Sequence, residues 1–406
     1  MEPGSQQLSL AGAVLRVLRR FSRPYDPNEQ ALVARFEALE ARKADEASDS
    51  AAWQRMMVDG LSVPSLFGFL FPEALAQNPD LEGMLTQLHN RAYVGPARSP
   101  AVEQAWREWV AGQSNLSDQA ALATRLIAEL LSAGQGGAPF LFLSRYYAFR
   151  DLLAAYFVHP ERVGWIKRCF DILHRQRANW NPPYCNGYAY QGYARLGICG
   201  IKPTEERLSR YDLGRWLRRE DRVLDIGANC GFLAIELARS VASVHGIEFN
   251  PYLVELGRDA AAQLGQRNCQ LDSGDFLSLE ADRTYDAVLS LANHCTIDGK
   301  LSMRFEDYIA KVWHLLRPEG FLFFESHNVF GPGGGGAGDD GDLDAKFDIV
   351  ERYFEVVALR MTRSYVPFDD IDKLFVVLRK RCYDAARQRR LSRERAVQCY
   401  EWFEFT

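Results

Sequence analysis

Val223-Leu-Asp225-Ile-Gly227-Ala-Asn229-Cys-Gly231 is a short apolar run that ends in an acid and opens into a turn. Val223 to Ile226 has the length and composition of a buried strand. Gly227 permits a tight turn with backbone close to a ligand, and Gly231 lets a helix start against that turn, predicted to run to about Ser240. Asp225 places a carboxylate near the strand end, where an ammonium-bearing ligand can be held directly or through water. The spacing is not G-x-G-x-x-G, because Asn229 stands at the central glycine position and no third glycine follows. That argues against a pyrophosphate cradle, and so against NAD or FAD. On its own the turn is an ordinary strand-to-helix link; the residues around it give it meaning.

Strands and helices alternate downstream. Val244 to Ile247 reads as a second strand, and Asn250-Pro251 caps the next helix with proline at its first position. Gln270-Leu271 leads to Asp275, Ala287 to Leu291 is a fourth strand, Ile309 to Leu316 a helix and Phe321 to Phe324 a fifth strand. Glu355 to Arg363 and Lys373 to Arg381 can close the sheet as an antiparallel hairpin at its edge. Such alternation predicts an α/β, doubly wound, seven-stranded mixed sheet over residues 205–385. Ligands of such sheets sit beyond the carboxyl ends of the strands. Glu248 ends the second strand 23 positions after Asp225, where a carboxylate can accept both hydroxyls of a ribose; the plain alternative is a solvated acid. Asp275 can accept from an adenine amino group while Phe276 lies against the ring.

In order, these features, with Tyr285-Asp286-Ala-Val-Leu-Ser and Leu315-Leu-Arg-Pro318-Glu-Gly320, resemble the class I (Rossmann-like) S-adenosylmethionine (AdoMet)-dependent methyltransferase superfamily. The resemblance implies that Asp225, Gly227, Asn229 and Gly231 surround the methionine part of AdoMet. It implies Glu248 on the ribose, Asp275 on the adenine amine and Phe276 on its face, with Asn293 also counted among the cofactor positions. Asn229-Cys230 departs from the glycine and small residues of many members and should narrow the loop slightly. The resemblance covers the C-terminal half and leaves residues 1–178 unassigned.

Acceptor-facing positions follow the fourth and fifth strands, which end in Asn293-His294-Cys295 and Glu325-Ser326-His327-Asn328. His294 and His327 are the candidate catalytic pair, because an imidazole titrates near neutrality and can take a hydroxyl proton. Each can instead simply hydrogen-bond a loop. The other histidines fall in helical or strand contexts and read as structural. No ligand spacing enforces a metal site from His294, Glu325 and His327, so none is assigned. Asn181-Pro-Pro-Tyr184 resembles an amino-methyltransferase motif, but it precedes the sheet instead of ending its fourth strand. Gly331 to Asp340 reads as a lid or a solvated loop, and Arg387-Gln-Arg-Arg390 as a solvated basic helix face.

The rest of the chain sets the frame. Its 406 residues suggest two domains, and 47% hydrophobic with 25% charged residues describes a globular protein. Residues 1–178 read as a helical acceptor-recognition or oligomerisation domain, 179–204 as an aromatic connector, and 386–406 as a basic helix or tail. A homo-oligomer is compatible with this layout. Arg16, Arg19 and Arg20 fit a transit peptide loosely, but Glu2 and ordinary helical spacing favour a first structural helix. Phe140 to Val158 contains Arg145, Arg150 and Asp151 and so reads as a buried helix, not a membrane span. Eight scattered cysteines without metal spacing read as reduced thiols of a cytoplasmic protein. A net charge of -5 argues against nucleic acid as a partner. The expected activity is O-methylation of a sugar, glycan or other small-molecule hydroxyl. An RNA methyltransferase and a non-catalytic AdoMet-binding scaffold are the alternatives.

Overall fold

The structure, a computed structural model, describes residues 10–21, 26–42, 139–180, 184–280, 283–293, 303–327, 329, 342–363, 372–381 and 391–405. The glycine-rich run 331–340 and the basic run 387–390 lie outside these. The chain divides into two compact units, Met1–Pro203 and Thr204–Thr406.

In the first unit, α1 (Leu10–Phe21) buries Val14, Val17 and Leu18 while Arg16 stays exposed. Leu32 and Phe36 of α2 (Pro27–Arg42) are buried on one side at helical spacing. α3 (Pro139–Phe157) carries Arg150 and Asp151 into the interior, and α4 (Val163–Asn179) follows. Arg150 pairs with Asp26 at 2.6 Å, Asp151 at 3.2 Å and Glu29 at 3.5 Å. One guanidinium thus meets three carboxylates, and burial pushes the Asp151 carboxyl up to about 7. The segment read as a connector belongs to this unit: Gln191–Gly192 (β1) pairs in parallel with Lys202–Pro203 (β2), and Tyr188 and Tyr193 are buried.

The second unit begins with α5 (Thr204–Tyr211), whose first turn carries Glu205 and Glu206. Its first residue, Thr204, is buried. Then come β3 (Arg222–Ile226), α6 (Phe232–Leu237), β4 (Ser243–Glu248), α7 (Pro251–Gln263) and β5 (Cys269–Ser273). β6 (Tyr285–Leu291), α8 (Phe305–Leu315), β7 (Leu316–Glu325), α9 (Leu343–Tyr353), β8 (Phe354–Thr362) and β9 (Lys373–Lys380) follow. The end of the chain adds α10 (Arg393–Ala396) and β10 (Phe403–Glu404).

The sheet is mixed α/β, in the order β10-β8-β9-β7-β6-β3-β4-β5, with β7 through β5 parallel. It has eight strands, not the seven expected, because Phe403 and Glu404 pair antiparallel with Leu359 and Ala358. β8 and β9 pair antiparallel as the expected hairpin at this end of the sheet, with β9 against β7 and only the two-residue β10 beyond β8. The chain returns from β5 to the far side of β3, which makes the β3–β6 boundary the switch point where a crevice opens. Leu224, Ile226, Val288 and Leu322 pack on one face with Ile309 and Val312 of α8 and Phe347 of α9. β7 begins earlier than expected, and its Arg317-Pro-Glu-Gly stretch lies at a register shift, with Glu319 at φ 61°.

Candidate functional site

The glycine turn follows β3 and takes left-handed backbone at three positions, Gly227 (φ 68°), Asn229 (φ 57°) and Gly231 (φ 66°). Asparagine tolerates that region better than other residues with a Cβ, so Asn229 departs from glycine without breaking the turn. A Cβ at Gly227 would lie 3.0 Å from the Asn293 Cβ, and one at Gly231 would meet Leu271 at 2.6 Å. The turn is therefore packed between the end of β6 and the core residue Leu271.

Glu248, at the end of β4, holds this turn. Its Oε2 accepts the Asn229 N–H at 2.9 Å and its Oε1 accepts the Asn250 N–H at 2.9 Å. Asn250 in turn caps α7, its side chain accepting from the Tyr252 N–H at 3.1 Å ahead of Pro251. Phe249, beside this carboxylate, is 43% exposed, one of two large apolar side chains so exposed among the described residues. Asp225 is buried one strand away, in register with Gly246. Burial pushes its carboxyl up to about 7, against the downward pull of the Arg207 guanidinium on α5, while Glu248 raises it further.

Asp275 follows β5 and is exposed; its Oδ1 accepts the Leu277 N–H at 2.9 Å and so caps the 3-10 turn Phe276–Ser278. A cleft of ≈ 310 Å³ beside it is lined by His245, Ile247, Asp272, Gly274, Asp275 and Arg283, among others. Phe276, expected against an adenine face, is 3% exposed and lies in the core, 5.1 Å from the Tyr308 ring, with the Lys311 ammonium 5.0 Å from its own ring centroid. The exposed aromatic of this region is Phe249, directly after Glu248. Asn293, also expected at the cofactor, spends its amide on the protein. Its Nδ2 donates to the Ile226 carbonyl, and its Oδ1 accepts from Ser290 at 2.9 Å and Tyr308 at 3.3 Å. It ties the end of β6 to the end of β3.

Of the two candidate bases, His327 follows β7 and is half-buried, while His294 lies outside the described residues. His245 bonds Tyr285 Oη at 2.7 Å and Asp272 at 3.0 Å through its two ring nitrogens, which fits a structural role. Arg207, which acts on Asp225, and Tyr211, which bonds Glu325, are neighbours that motif reading passed over. Tyr211 donates to Glu325 at 2.8 Å across 114 residues of sequence, a pairing no local pattern announces. Among the described residues no group of three or more His, Cys, Asp or Glu side chains could hold a metal ion, and no helix is long and apolar enough to cross a membrane.

The donor set fits AdoMet. Three carboxylates, Asp225, Glu248 and Asp275, stand at the carboxyl ends of three adjacent strands, and these are acceptors for an ammonium, a diol and an exocyclic amine. Asn229 Oδ1, buried without a hydrogen-bond partner, lies in the turn between them.

Residues 217–357 match a family model described as a methyltransferase domain. The chain is 34% identical over 105 residues to protein-L-isoaspartate O-methyltransferase of Bordetella petrii, covering 25% of this chain and 37% of that protein. It is 26% identical over 169 residues to human EEF1A lysine methyltransferase 2, covering 37% of this chain and 67% of the relative. An uncharacterised Methanocaldococcus jannaschii protein is 27% identical over 138 residues, 33% of this chain and 46% of that protein. Against the first two of these curated relatives in that order of similarity, Bordetella and Methanocaldococcus, the chain spans less than half their length. Among solved structures, the N-methyltransferase NodS of Bradyrhizobium japonicum in complex with S-adenosyl-L-homocysteine (AdoHcy) aligns with TM-score 0.37 and 18% identity. That alignment covers 52% of this chain and 98% of NodS. Residues 217–357 are thus similar to methyltransferase domains.

Proposed function

We propose that this chain is an AdoMet-dependent methyltransferase that methylates a hydroxyl of a sugar, glycan or other small molecule. One observation carries the cofactor half of the reading: the Glu248 carboxylate fastened to the glycine turn, between buried Asp225 and exposed Asp275. When bound, AdoMet would supply an electrophilic methyl group for an acceptor oxygen. The chain's part is to align the two partners and to receive the proton the oxygen gives up.

In this reading Asp225 holds the ammonium, Glu248 the ribose diol, Asp275 the adenine amine, and Phe249 covers the ring. His294 takes the acceptor proton and His327 orients the acceptor, a pairing supported by their positions after β6 and β7 in the sequence. Residues 1–178 serve acceptor recognition or self-association. The test is transfer of labelled methyl from AdoMet to a panel of sugars, catechols and RNA, read alongside binding of AdoHcy. Label in neutral hydroxyl compounds supports the reading. Label confined to RNA, with binding that falls steeply as salt rises, favours an RNA acceptor. Tight AdoHcy binding with no transfer to any class favours a scaffold.

A further inference from the structure

The acid face of the sheet continues past Asp225. In the parallel register Asp225 lies beside Leu289, and Leu289 beside Phe323, so the three share one face. Glu325, two residues beyond Phe323 and paired with Leu291, shares that face too. One strand, β6, separates the two acids, which sets their strands roughly 10 Å apart. Between them β6 presents Leu289 and Leu291, an apolar floor flanked by a carboxylate on each side.

Glu325 is not a solvated strand-end acid. It is 2% exposed, and its Oε1 accepts the Tyr211 hydroxyl at 2.8 Å. Tyr211 is itself fully buried and stacks on Phe375 with ring centroids 4.6 Å apart and planes 13° apart. Phe375 is the β9 partner of Glu325 in the register. The aromatic packing fixes the phenol, and the phenol fixes the carboxylate. Burying a carboxylate is costly, and holding it at a strand end beside the switch point is what ligand binding would require. One helix serves both acids: Arg207, one turn before Tyr211 on α5, is the cation that acts on Asp225.

AdoMet carries two positive charges, the α-ammonium and the sulfonium, and one acid is assigned to the first. We propose that Glu325, oriented by Tyr211, is the carboxylate that faces the cationic sulfur end of the cofactor from the acceptor side. The proposal rests on the AdoMet reading above. The same carboxylate would accept a hydrogen bond from an acceptor O–H or N–H and repel an anionic acceptor, which narrows the acceptor class to neutral hydroxyls and amines.

The experiment compares two ligands by calorimetry on the full chain. Sinefungin carries an ammonium where AdoMet carries its methyl sulfonium, whereas AdoHcy is neutral there. Wild type should prefer sinefungin, and Glu325→Gln should cut that preference about tenfold while AdoHcy affinity stays within about twofold. Tyr211→Phe should cut it in the same direction by a smaller factor. An unchanged preference in Glu325→Gln, or a parallel loss of both ligands, overturns the proposal. Should Glu325→Gln fail to fold, Tyr211→Phe decides: a reduced preference supports the proposal and an unchanged one overturns it. A wild-type chain that binds neither ligand overturns the AdoMet reading itself, and this proposal with it.

Discussion

The Glu248 carboxylate accepts the backbone N–H of Asn229 at 2.9 Å, joining the end of β4 to the turn after β3. Its second oxygen accepts the Asn250 N–H, so one side chain sets both the glycine turn and the entry to α7. A carboxylate has about four lone-pair positions, and a ribose diol would take up two of them. The turn and the acid are therefore one unit, and disturbing either should disturb the other.

Position 229 should tolerate glycine and reject β-branched residues. Asn229→Gly keeps the N–H that Glu248 accepts and suits φ 57°, so its melting temperature should stay near wild type. Asn229→Val must take a left-handed conformation that costs about 1–2 kcal/mol or more, a loss of several degrees in the melting temperature. Gly227→Val should be worse, because its Cβ would also press on Asn293 at 3.0 Å. Scanning calorimetry of the three variants checks the order; equal melting temperatures would contradict it.

Cofactor affinity should depend on pH through Asp225. Burial raises its carboxyl to about 7 in the free protein, so this group favours the folded state most at low pH. That contribution declines as pH rises from the ordinary carboxylate value toward about 7. Binding an ammonium needs the ionised form, so affinity for AdoHcy should rise with pH, by at most about tenfold per unit, and level off above about 7. Below the plateau, binding should release protons, visible as an enthalpy that depends on the buffer. In Asp225→Asn the slope should vanish. A wild-type affinity that does not change between about pH 5.5 and 8 would show that Asp225 does not carry the ammonium.

Local patterns made much of this site legible. Asp225, Glu248 and the Asn250-Pro251 cap each announce themselves within a few residues, because strand ends and helix starts are set by neighbours in sequence. The fate of Phe276 was not legible, since it turns on packing against Tyr308 from a helix formed later in the chain. Asn293 likewise spends its amide on Ile226, Ser290 and Tyr308, partners that only the assembled sheet brings together. The eighth strand is two residues long, too short to show a period, and exists because β8 offers it an edge.

The two histidines should separate in kinetics. His294→Ala should lower kcat by about 100-fold or more while leaving AdoHcy affinity nearly intact, the signature of a lost general base. His327→Ala should mainly raise the acceptor KM. The native rate should climb with pH through a group titrating in the histidine range. Reversed effects would exchange the roles, and two silent variants would mean that the acceptor needs no base.

In the proposed site, Glu248 and the turn it fastens hold the nucleoside. Calorimetry of AdoHcy binding to wild type and Glu248→Ala tests it most directly. Removing a charged acceptor from the ribose, together with the bond to Asn229, should weaken binding about ten- to hundred-fold while the sheet unit stays folded. Equal affinity for AdoHcy in the two proteins would contradict the account.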